Sequence, residues 1–107
     1  MYFSSIEEVR DSIDQIDSEL VKIIAQRAKY VKAAAAFKTD SSAVRAPDRV
    51  EQVINNVREK AAEIGLPQVI IEKVYRSMID AFIDYEINQH EQLQMEKIDS
   101  EHYQKSK

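Results

Sequence analysis

The residues best suited to chemistry in this 107-residue chain are cations. The stretch YVKAAAAFKTDSSAVRAPDRV, Tyr30 to Val50, carries Lys32, Lys38, Arg45 and Arg49, although the chain as a whole has a formal net charge of −4. Such a molecule repels nucleic acid and anionic membrane surfaces, so any anionic ligand must be held locally. Arg27 and Lys38 are eleven residues apart, close to three full helical turns, and on a continuous helix both project from nearly the same face. A guanidinium beside a packing surface keeps its charge and loses much of its water, which makes a carboxylate or phosphate a favourable partner. Arg27 could equally snorkel at the edge of an apolar seam and pair with a glutamate. Glu86 falls four residues after Phe82 and eight after Met78, on or near an apolar helical stripe. A carboxyl group in that setting tends to stay protonated and can then donate a hydrogen bond. It could also be ion-paired to one of the cations.

Other chemistries are disfavoured by composition. There is no cysteine, and the two histidines sit in the distal third without ligand spacing, so no metal site is expected. No apolar run is long enough to span a bilayer, and MYFSSIEEVR lacks the basic and apolar regions of a secretory signal. A cytoplasmic protein with no membrane or nucleic-acid partner is the expectation, the more so as no basic, aromatic-bearing face is present.

The elements that must position these residues are helices. One glycine and two prolines leave few places to turn, while apolar residues recur at helical spacing almost throughout, so the fold class is all-α. Ser5 followed by Glu8 is a start signal, and Val9, Ile13, Ile16, Leu20, Ile23, Ile24 and Val31 carry a first helix over about residues 5–38. TDSSAVRA breaks it. Pro47 and Asp48 suit the first turn of a second helix over 47–64, with Gly65 as its left-handed cap. A third helix follows over about 67–95 on Ile70, Ile71, Val74, Met78, Phe82 and Ile87. Residues 1–96 make one domain and 97–107 a polar tail, expected to be mobile. A first helix of about 33 residues is roughly 50 Å long, whereas a compact globule of this size has a radius of gyration of about 13 Å. Its stripe would overhang its own subunit and expose apolar surface, so an intertwined homodimer is expected.

These features together resemble a family, the all-helical or type II chorismate mutases, and within it most closely the isochorismate pyruvate lyases of salicylate biosynthesis. The resemblance spans about residues 6–92. It is carried by VRDSIDQIDSELVKIIAQRAKYVKAAAAFK, by the loop into APDRV, by EIGL before the last helix, and by the ordered set Arg10, Arg27, Lys38 and Arg49. The resemblance implies that Arg10 and Arg27 bind the two carboxylates of chorismate or isochorismate. Lys38 would donate to the ether oxygen and nearby carboxylate, and Arg49 would support the anionic pocket. Arg10 and Arg27 lie about 25 Å apart along one helix, so if both touch one substrate, Arg10 comes from the partner chain. Both family reactions are pericyclic and need no cofactor.

Two positions bear on which reaction is expected. Many mutases of this type carry a glutamate for the substrate's ring hydroxyl where this chain has Val50, and lyase-like sequences are apolar there. Glu86 stands where bacterial relatives usually have glutamine and fungal mutases glutamate; glutamine donates at any pH, whereas glutamate must be protonated to do so. The expected activity is isochorismate pyruvate lyase, with Lys38 and Glu86 as the catalytic donors and some chorismate mutase activity. Chorismate mutase as the main activity is the alternative. A helical dimer serving as a non-catalytic interaction or regulatory module is the alternative of another class.

Overall fold

The computed structural model describes the backbone of residues 2–37 and 46–105, and the side chains of residues 2–37, 46–89, 91 and 92. The described chain is helical, in the order α1 (Ile6–Ala35), α2 (Pro47–Ile64) and α3 (Gln68–Lys105), in agreement with an all-α fold. It divides into two compact units, Met1–Ala34 and Ala35–Lys107.

In the first unit, α1 opens at the Ser5 signal. The Glu8 amide donates to Ser5 Oγ at 3.2 Å, while the Glu8 carboxylate reaches back to Ser4 instead of Ser5, accepting from its amide at 3.0 Å and its hydroxyl at 2.7 Å. These bonds, the Ser4 amide first, hold the Glu8 carboxyl below the usual carboxylate range. At 1.5 Å per residue α1 is about 45 Å long. It stops at Ala35, short of the expected end at Lys38. None of the α1 residues is buried, and Ile13, Ile16, Leu20 and Ile23 are all exposed.

The second unit has a core. Ile54 and Ala61, two turns apart on α2, are 1% and 2% exposed, and Ile79 on α3 is 7% exposed. Gly65 closes α2 with φ 80°, its amide donating to Ala62 O at 3.4 Å, while the Leu66 amide donates to Ala61 O at 2.9 Å. This pair of bonds is the Schellman closure, and it needs the left-handed conformation that glycine adopts freely. Pro67 then turns the chain into α3. The inward face of α3 runs through Ile71, Tyr75, Met78, Ile79, Phe82, Ile83, Glu86 and Ile87, whereas Ile70 and Val74, expected on the buried stripe, are exposed. The third helix does not end near residue 95 but continues to Lys105. Beyond Gln94 the sequence has no glycine or proline and several good helix formers, so nothing in the backbone stops it. None of the described helices is long and apolar enough to cross a membrane.

Candidate active site

α1 carries two of the candidate cations. Arg10 is exposed in the second turn, and Arg27 is half-buried with its Nη1 shielded from water. Seventeen residues of uninterrupted helix separate them, which fixes about 25 Å between their positions along the axis. One protomer therefore cannot close both guanidinium groups on one small molecule. Lys38 and most of the 39–46 loop lie outside the described residues.

The second unit carries Arg49, Val50 and Glu86. Arg49 and Val50 stand in the first turn of α2, which begins unusually: Ala46 at its N-cap has φ 34° and ψ 64° and contributes no side-chain cap. A non-glycine residue in this left-handed region costs about 1–2 kcal/mol, and an alanine cap gives up about 1 kcal/mol relative to serine or aspartate. The first helical bond, from the Val50 amide to Ala46 O at 3.1 Å, starts from this strained residue. Arg49 is a cation at the positive end of a helix, where the dipole favours anions and Asp48 offers a partial offset. Its Nη1 donates to the neutral amide oxygen of Gln52 at 2.6 Å. Val50 is half-buried.

Glu86 belongs to the same end of the hairpin. Arg76 faces Glu51 across the two antiparallel helices, so Asp80, four residues on, comes level with the start of α2. Glu86 then lies about 9 Å further along the axis. It shares the half-buried face of Met78 and Phe82, with Oε1 shielded from water. Arg49 and Val50 thus stand at the start of α2 and Glu86 about 9 Å beyond it along the axis of α3, while Arg10 and Arg27 lie far apart on α1.

A feature missed in the sequence is a ladder of ion pairs along the flank of the hairpin. The Arg76 guanidinium donates to both carboxylate oxygens of Glu51, at 3.0 and 3.3 Å, and through Nε to Glu72 at 3.0 Å. Glu72 also accepts from Arg58, which donates to Gln68 Oε1 at 3.3 Å, while Gln68 Nε2 donates to the Arg58 carbonyl at 3.1 Å. Arg76 first and Arg58 second hold the Glu72 carboxyl below its ordinary range, and Glu51 and Glu72 raise the Arg76 guanidinium further. Only the Glu72–Arg76 spacing of four residues was a readable signal.

Comparison with known proteins gives the chain its family. The family model of chorismate mutase type II matches residues 9–87. An isochorismate pyruvate lyase of Pseudomonas aeruginosa is 32% identical over 84 residues, covering 78% of this chain and 83% of the relative. The match takes in both units and every described site residue named above, and on that basis the chain belongs to the type II chorismate mutase family.

Proposed function

We propose that this protein is a cofactor-independent pericyclic enzyme on a chorismate-type dianion, acting chiefly as an isochorismate pyruvate lyase with some chorismate mutase activity. The observation that supports this most is the 32% identity to the Pseudomonas aeruginosa lyase across 78% of the chain. Val50, apolar where many mutases place a glutamate, points the same way. The family match favours a second reading, in which conversion of chorismate to prephenate is the main activity.

Two copies form the working unit. The exposed Ile13, Ile16, Leu20 and Ile23 of α1 are an apolar stripe for a second chain to cover. Pairing also brings Arg10 of one protomer to Arg27 of the other, overcoming the 25 Å that separates them on a single helix. Each pocket then holds one carboxylate on each arginine, and Arg49 adds positive potential for the dianion. In the lyase reaction the enol ether C–O bond breaks and a ring hydrogen passes to the terminal methylene, which becomes the methyl group of pyruvate. The ring is left as salicylate, and no atom is gained or lost. Negative charge grows on the ether oxygen as the bond opens. Donors fixed in advance lower that barrier, and the arginines hold the reactive conformer. Lys38 and Glu86 are those donors.

The test is turnover of isochorismate, followed by salicylate fluorescence, and of chorismate, followed by its loss. Arg27→Ala or Lys38→Ala should cost about 100-fold or more with helical content kept. Inertness of the wild type toward both substrates would leave a non-catalytic helical module instead. Glu86 has its own readout. Glu86→Ala should lower kcat/KM with helical content kept, and Glu86→Gln, which keeps a donor, should retain more of it; activity unchanged in Glu86→Ala rejects the donor role.

A further inference from the structure

The ion-pair ladder serves neither the proposed chemistry nor the buried core. Its rungs differ in what they hold. Arg58 ties the last part of α2 to the start of α3 through Glu72 and Gln68, close to the Gly65 turn. Glu51 ties the opposite end, and it directly follows Arg49 and Val50. Among the described residues no side chain caps that first turn, and Ala46 at its N-cap sits in a left-handed conformation. Glu51 and Arg76 are 60% and 42% exposed, so their pair adds little to global stability. Two parallel bonds between planar groups nevertheless set an orientation as well as a distance, and Arg76 is itself braced from below by Glu72.

We propose that Glu51 and Arg76 are positioning residues that pin the first turn of α2 to α3, so that Arg49 and Val50 meet the ligand already oriented; what those two residues bind rests on the function proposed above. The consequence is specific. Loss of the Glu51 rung loosens substrate binding, while loss of the Arg58 rung weakens the hairpin and leaves binding alone.

The experiment compares Glu51→Gln, Arg76→Gln, their double variant and Arg58→Gln for two readouts, steady-state turnover of isochorismate and chorismate, and amide hydrogen exchange at Val50. Glu51→Gln and Arg76→Gln should each raise KM about three- to fivefold with kcat nearly unchanged, and the double variant should be no worse than Arg76→Gln. The Val50 amide should exchange several-fold faster in both, and at the wild-type rate in Arg58→Gln. An unchanged KM and Val50 exchange in Glu51→Gln, or the same changes in Arg58→Gln, overturn the proposal. If the wild type turns over neither substrate, the functional reading falls by itself. Val50 exchange then still decides the positioning role, faster in Glu51→Gln alone supporting it and equal in Glu51→Gln and Arg58→Gln overturning it.

Discussion

The α2–α3 hairpin and α1 draw on similar resources, periodic aliphatic residues and mixed charges, yet they end in opposite states. The hairpin buries Ile54, Ala61 and Ile79 and ties its flank with arginine–glutamate pairs between helices. None of the α1 residues is buried, and the Lys22–Glu19 pair, at 3.2 Å, lies within the helix itself. An amphipathic stripe says that a face must be covered; it does not say by what. For α2 the partner is the next helix in sequence, reached by a short turn. For α1, about 45 Å long with an apolar stripe along most of it, we read the partner as a second copy of the chain.

The largest effects expected from breaking this contrast come from truncating each face. Ile54→Ala should cost about 2–5 kcal/mol, since it opens a cavity between two helices, and the loss should not depend on protein concentration. Leu20→Ala removes a side chain that is 49% exposed in the single chain. A surface site costs about 0.5 kcal/mol or less, whereas a site covered by a partner copy costs more and makes Tm fall on dilution. Thermal unfolding at two concentrations separates these outcomes, and a concentration-independent Tm for the wild type would break the comparison.

A smaller effect sharpens it. The Glu72 carboxyl is held below its ordinary range by Arg76 and Arg58, so the folded state binds that proton less readily than the unfolded state does. The contribution of Glu72 is therefore full above the unfolded value of about 4.3 and is lost as pH falls through the lower folded value. Denaturation midpoints of the wild type should hold from neutral pH to about pH 5 and decline below about pH 4, and Glu72→Gln should flatten part of that decline. Stability that rises on acidification in this range would contradict the ladder.

Local punctuation was readable in the sequence. Ser5 with Glu8, Pro47, and Gly65 with Pro67 mark helix ends by fixed rules of capping and backbone conformation, and the structure follows them. Where no such residue stands, the ends were misjudged. α1 stops within its alanine run, and α3 continues to Lys105 because nothing polar in QMEKIDSEHYQK is a breaker. The rotation that exposes Ile70 and Val74 was also out of reach, since a run containing Val69, Ile70, Ile71 and Val74 offers two stripes and only the α2 partner chooses between them. Of the candidate site, residue types and order were legible, and Glu86 lies on the half-buried face with Met78 and Phe82 as its spacing required. The Glu51–Arg76 contact was not legible, because it joins residues 25 apart through the register of two helices. The left-handed Ala46 left no trace either, alanine being a residue without a preference for that conformation.

The central claim is that each site takes Arg10 from one chain and Arg27 from the other, and mixing two dead variants tests it most directly. Arg10→Ala and Arg27→Ala should each be inactive alone. Unfolded together in equal amounts and refolded, half of the dimers would be mixed, each with one intact site, so about a quarter of wild-type isochorismate turnover should return. No recovery, with mixed dimers demonstrated by native mass spectrometry, would contradict the shared site.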